Sequence, residues 1–156
     1  MITARRRKRL RRRSAASSTV AKRLEAAVFY LDESIYSRRL ADAMRAAGAQ
    51  VVTPFEANLA GASDEAWLTA VGSRGWIALM RDQNIRRRPL ERRVLLAAGV
   101  GAFVCVAGEA TAEETANAVT RLLAKMLHLT SGEPRPFIFT FGLSQRVRAV
   151  ARRHLE

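Results

Sequence analysis

Cysteine, histidine and lysine are scarce in this chain. Cys105 is the single cysteine among 156 residues, so a disulfide framework is excluded. Its place in the apolar run Ala102–Val106 marks a buried strand thiol rather than a nucleophile. Two histidines, His128 and His154, have neither a cysteine partner set nor the H-E-x-x-H spacing, which excludes the usual zinc centres. His128 is expected on a helix face and His154 in a solvent-exposed tail. Neither a G-x-G-x-x-G nor a P-loop sequence occurs, so a nucleotide held on a glycine-rich loop is excluded. Aromatic residues make up 6% of the chain and fall mostly in strand-like runs, leaving no stacking platform of the kind that single-strand binders use. Every apolar run is far shorter than the ~20 residues of a membrane helix. The basic N-terminus is not followed by the apolar stretch of a secretory signal. A cytoplasmic protein with no membrane partner is the expectation.

Positive charge, in contrast, is abundant. Lys and Arg total 27 against 14 Asp and Glu, a net charge of +13, and nearly all of it is arginine. Such an excess speaks of a polyanionic partner rather than of a fold. It is concentrated at the start, where Met1–Arg13 holds eight basic residues and no acid. With no apolar face to offset ordering, this segment is expected to be disordered alone. It reads either as an arm for nucleic-acid phosphates or as a solvated tail or upstream extension. The expected organisation is a basic arm over 1–25, a folded domain over 26–142, and an Arg-rich tail over 143–156 with one exposed helix over Gln145–His154.

Apolar types form 49% of the chain, enough for one ordinary core. Ala27–Leu31 is a continuous apolar run of strand length. Ser34–Ala47 has helical periodicity and Gly48 stops it. Gln50–Thr53 is a second strand, ended by Pro54. Ser63 is placed to cap a helix beginning at Asp64. Trp76–Met80 is a third strand, and Pro89 suits the first position of a helix running to about Ala98. Ala102–Val106 is a fourth strand, Thr111 caps a long helix to about Leu129, and Phe137–Phe141 is a fifth strand. This alternation predicts a three-layer α/β/α domain with a mainly parallel central sheet of about five strands.

Parallel strands present their carboxyl ends on one edge, where such folds build ligand sites. The first strand runs into Asp32-Glu33 and the third into Arg81-Asp82, while Asp64-Glu65 opens the intervening helix. Singly, each acid has a bland reading: Asp32 or Ser34 as a helix cap, Asp64 and Glu65 as favourable charges in a first turn, Asp82 as a turn closer. Together they repel one another unless protons or hard cations balance them, which suggests metal-dependent phosphodiester chemistry. Asp32, Asp64 or Glu65, and Asp82 are the expected catalytic and metal-binding set, with Mg²⁺ or Mn²⁺ as cofactor. Arg81, Arg86, Arg87 and Arg88, on the same edge, are expected to bind flanking phosphates, with a solvated charge run as the plain alternative.

Leu31-Asp32-Glu33-Ser34, Ser63-Asp64-Glu65-Ala66-Trp67-Leu68, and Arg74-Gly75-Trp76 leading to Met80-Arg81-Asp82-Gln83-Asn84-Ile85-Arg86-Arg87-Arg88-Pro89-Leu90-Glu91 together resemble the small PIN-like nucleases. The branch most similar is that of the VapC-type toxins of bacterial toxin-antitoxin systems. The resemblance covers roughly Ala27 to Phe141. It implies a PIN-like fold, Mg²⁺- or Mn²⁺-dependent cleavage of RNA, and often a cognate antitoxin as partner; a homodimer is a separate expectation. Asp32 matches the family's first-strand acid, Asp64 and Glu65 the helix acid, and Asp82 the acid after the third strand. A fourth family acid has no clear counterpart, since Val106-Ala107-Gly108-Glu109 offers only Glu109. Glu33 is the candidate additional acid, unless the site holds a single metal.

Other acid-bearing α/β classes fit less well. A phosphoacceptor receiver domain needs a lysine after the fifth strand, and Lys8, Lys22 and Lys125 are all elsewhere. A haloacid-dehalogenase-like phosphatase needs Asp-x-Asp, which Asp32-Glu33-Ser34 breaks. The rival from a different class is a catalytically degenerate, basic RNA-binding or regulatory module on the same fold.

Overall fold

A computed structural model describes residues 3–82 and 88–150. The elements run α1 (Ala4–Ala26), β1 (Val28–Leu31), α2 (Arg38–Ala46), β2 (Gln50–Val52), α3 (Asp64–Ser73), β3 (Ile77–Arg81), α4 (Pro89–Ala97), β4 (Gly101–Cys105), α5 (Ala112–Gly132), β5 (Phe137–Phe141) and β6 (Val147–Ala149). The strands form one sheet in the order β2-β1-β3-β4-β5-β6. All neighbours are parallel except β5 and β6. The expected five-stranded parallel sheet is thus present, with an added antiparallel edge strand.

Alternation along the strands sorts the core into two halves. Phe29, Leu31, Ile77, Leu79, Phe103, Cys105 and the odd-numbered phenylalanines of β5 face α2 and α5, whereas Tyr30, Ala78, Ala102, Val104 and Ile138 face α3 and α4. The Cys105 thiol is 1% exposed and belongs to the first half. β4 approaches β5 so closely that a Cβ on Gly101 would stand 2.5 Å from the Phe137 ring.

α2 and α5 pack on each other on one face, yet the strand pairs they connect step in opposite directions across the sheet. The β4-α5-β5 crossover therefore has the hand opposite to the other three, an uncommon choice in parallel sheets. Only the face chosen by α5's apolar stripe decides it.

Three local differences from the sequence reading have physical causes. α2 begins at Arg38 rather than Ser34, because the Ser37 side chain accepts from the Leu40 amide and caps it. The preceding turn is instead held by Asp32, whose carbonyl accepts from Ile35 and Tyr36. The basic N-terminal segment forms a helix, of good intrinsic formers, whose last turns are fastened. Val20 and Leu24 pack against the core, and the Gln50 amide donates to the Leu24 and Glu25 carbonyls at 3.1 and 2.6 Å. In the C-terminal segment β6 replaces the expected helix over its described part, since Val147, Arg148 and Ala149 pair with β5. The rest of that helix and His154 lie outside the described residues.

Candidate functional site

Sheet hydrogen bonding places the two strand-end acids. The Asp32 amide donates to the Leu79 carbonyl at 2.9 Å and the Asp82 amide to the Cys105 carbonyl at 3.0 Å, so each acid is the first residue beyond its strand while its backbone is still held by the neighbour. Leu31 pairs with Leu79, which puts Asp82 two residues further along than Asp32's neighbour. From strand spacing and rise the two Cα atoms are then roughly 8 Å apart. They lie where β2-β1 and β3 diverge in chain order, the switch point at which doubly wound sheets open a crevice.

A cleft of about 410 Å³ occupies this crevice. Asp32, Asp64, Glu65, Asp82 and Glu91 line it together with Ser34, Arg88 and an apolar wall including Leu68, Leu90 and Val94. The structure therefore brings four of the expected acids to one cavity. Asp64 and Glu65 reach it because Ser63 caps α3, accepting from the Ala66 amide at 3.2 Å, and so aims the first turn at the cleft. One Asp64 oxygen accepts from the Trp67 indole at 3.1 Å.

Asp32 does not cap a helix. Its carboxylate accepts from the Ser34 amide at 3.1 Å and from the Ser34 hydroxyl, and the same hydroxyl accepts from the Arg81 amide at 3.1 Å. Ser34 is thus a bridge that fixes the Asp32 rotamer against the end of β3. Beneath, Tyr30 stacks on Trp67 with ring centroids 5.5 Å apart. Burial, then the charges of Asp32 and Glu33, push the Tyr30 phenol up to about 12, so it stays neutral under the acids.

Some expected residues are placed differently. Glu33 does not line the cleft; its carboxylate accepts from the Gly61 amide at 2.5 Å and ties down the loop before α3. The Arg81 guanidinium donates to the Ala107 carbonyl and, at 2.8 Å, to the Thr115 hydroxyl. It fastens the end of β3 to α5, and Arg81 is also among the residues that line the cleft. Arg86 and Arg87 lie outside the described residues. Arg88 is at the cleft and pairs with Glu91 at 3.0 Å. That hydrogen bond, the charge of Glu91 and the charge of Asp82 hold its guanidinium above its ordinary range.

Glu91 is the acid that sequence reading did not assign. It sits in the first turn of α4, opened by Pro89, on the same edge as Asp82. The signal was present: a helix starting just after a catalytic-type strand end aims its first-turn acid at that edge, as α3 does.

The donor set is hard oxygen, which suits Mg²⁺ or Mn²⁺ and not soft or borderline metals. Among the described residues no three carboxylates or other ligating side chains stand close enough to cage an ion. Such a set fits a cation bound through one or two carboxylates that keeps water and accepts phosphate oxygens, which is the usual manner of Mg²⁺.

Residues 27–107 match the family described as "PIN like domain". With the doubly wound sheet and the acid-lined switch point, this defines the class: the chain belongs to the PIN-like domain family. It is 30% identical over 127 residues, 78% of this chain and 90% of the relative, to "Putative ribonuclease VapC45" of Mycobacterium tuberculosis. No solved structure matches the chain. Among the described residues no helix is long and apolar enough to cross a membrane.

Proposed function

We propose that this protein is a divalent-metal-dependent endoribonuclease, acting as the toxin of a toxin-antitoxin pair. The observation that supports it is the convergence on one cleft of acids from the ends of β1 and β3 and from the first turns of α3 and α4, in a chain related to a protein whose name is that of a ribonuclease. Asp32 and Asp82 would hold Mg²⁺ or Mn²⁺, and Asp64, Glu65 and Glu91 line the same cleft. The ion when bound supplies charge neutralisation at the scissile phosphate and lowers the pKa of a water. The chain's own part is to hold its carboxylates in place through Ser34, to keep Tyr30 neutral below them, and to offer Arg88 to an adjoining phosphate. Arg86 and Arg87 extend that role by sequence. The cognate antitoxin would be a small protein encoded beside this one.

A second reading has its own support: because no three ligands are gathered among the described residues, the same fold would serve as a non-catalytic RNA-binding module. One experiment separates them. Purified wild type should cleave a mixed-sequence RNA with Mn²⁺ and not with EDTA. Asp32→Asn and Asp82→Asn should each lose at least about a hundredfold in rate while keeping the wild-type circular dichroism. Mn²⁺ should raise the melting temperature of the wild type and not of Asp82→Asn. RNA binding without cleavage or Mn²⁺ stabilisation would establish the second reading.

A further inference from the structure

α1 is the largest feature the cleft does not use. Eight of the ten residues from Ala4 to Arg13 are basic, seven of them arginine. Every residue from Ala4 to Thr19 is exposed, and α1 buries none of its residues. Its carboxyl end, by contrast, is fastened at the start of β1 and β2, through Leu24 beside Gly48 and the two Gln50 hydrogen bonds. That is the amino edge of the sheet, whereas Asp32 and Asp82 stand at the carboxyl edge. The charged turns begin about 10 Å beyond Val20 along the helix axis and run on to about 22 Å.

As an isolated element this helix opposes its own formation. Arg5 and Arg9, Arg7 and Arg11, Lys8 and Arg12, and Arg9 and Arg13 are like-charged neighbours one turn apart. Thr3 makes no side-chain cap and the first turn holds no acid, so positive charge crowds the positive end of the dipole. A polyanion along the helix reverses each of these terms.

The chemistry of that polyanion follows from the distribution. At 100° per residue, positions 5–9 and 11–13 place charge on every side of the cylinder, with Leu10 the one large apolar side chain among them. A partner helix or a membrane surface requires an apolar stripe, and none is offered. Guanidinium forks match phosphate oxygens in pairs, and Arg-rich segments fold on RNA. We propose that α1 is a docking helix for the phosphate backbone of structured RNA, remote from the cleft. RNA rather than DNA rests on the ribonuclease reading of the cleft; the binding itself does not.

The test uses the full chain carrying Asp82→Asn, so that RNA survives, and follows a labelled RNA hairpin by fluorescence anisotropy between about 50 and 200 mM KCl. Adding Arg5→Gln, Arg9→Gln, Arg12→Gln and Arg13→Gln should weaken binding at least about tenfold at the low-salt end. It should also flatten the log–log salt slope by about 3. All four positions are exposed, so both proteins should melt alike. Equal affinities and slopes would overturn the proposal. Equal binding of a DNA duplex would overturn the assignment to RNA. Preference for anionic vesicles or for polyglutamate over the hairpin would overturn the assignment to a phosphate backbone. Cleavage by the Asp82→Asn parent would instead refute the site, leaving α1 untouched.

Discussion

At the scale of single residues, the side chain that joins the two acid-bearing strand ends is a serine. Ser34 receives the Arg81 amide and donates to Asp32, joining the ends of two strands through one hydroxyl. Ser34→Ala should cost about 1 kcal/mol in urea unfolding, the net worth of such bonds. It should lower RNA cleavage by more than that loss of stability explains, because Asp32 regains rotamer freedom. Unchanged cleavage would mean the bridge does not position the acid. A second residue sets a pH dependence. Glu56 accepts from Arg45 at 2.6 Å and from the Thr53 amide at 3.2 Å; the Arg45 hydrogen bond, then that of Thr53, hold its carboxyl below the ordinary range. Its contribution is therefore present above the unfolded carboxylate pKa and lost as pH falls through its own lower value. The group is exposed, so the effect on stability is small. An NMR titration should show the depressed midpoint in wild type and its return toward the free value in Arg45→Ala.

Elements carry the site through close approach rather than through charge. Near the C-terminal end of α3, a Cβ on Gly72 would overlap the Ala98 carbonyl oxygen and stand 3.3 Å from Val100. Glycine to alanine inside a helix ordinarily gains about 1 kcal/mol. Here the neighbouring atom is backbone and cannot swing aside, so Gly72→Ala should destabilise by about 1–3 kcal/mol. It should also reduce cleavage, since α3 carries Asp64 and Glu65 into the cleft at its other end. A stabilised Gly72→Ala protein would show that α3 and the end of α4 separate without consequence. Element positions were largely legible beforehand. Ser63 and Thr111 cap as their spacing predicts, Thr111 completing a capping box with Glu114, and Pro89 opens α4. The N-terminal helix was not legible, because what fastens it is Gln50, distant in sequence, and a hydrophobic contact of two residues.

Over the whole molecule, charge is divided between two edges of one sheet. The acids gather at the carboxyl ends of the strands, and the densest basic run leaves from the amino ends. Sites this far apart that share no side-chain contact act independently. Removing the four α1 charges should therefore leave the Mn²⁺-induced rise in melting temperature unchanged, while Asp82→Asn abolishes that rise and leaves the salt dependence of RNA binding intact. A variant of either edge that altered both measurements would show the two regions to be coupled.

What the sequence determined by itself was everything governed by neighbours along the chain. Apolar run length marked the strands, cap residues and Pro89 marked the helix starts, and carboxylates one residue past two strands marked an edge and its family. Tertiary structure alone decided which of those residues share a cavity. It turned Arg81 toward Thr115, gave Glu33 to Gly61, brought Glu91 into the cleft of Asp32 and Asp82, and set α5 on the face of α2. The reason is physical. Backbone propensity and patterning act over a few residues, whereas the partner of a polar side chain at a strand end is chosen by whatever the sheet order brings alongside it.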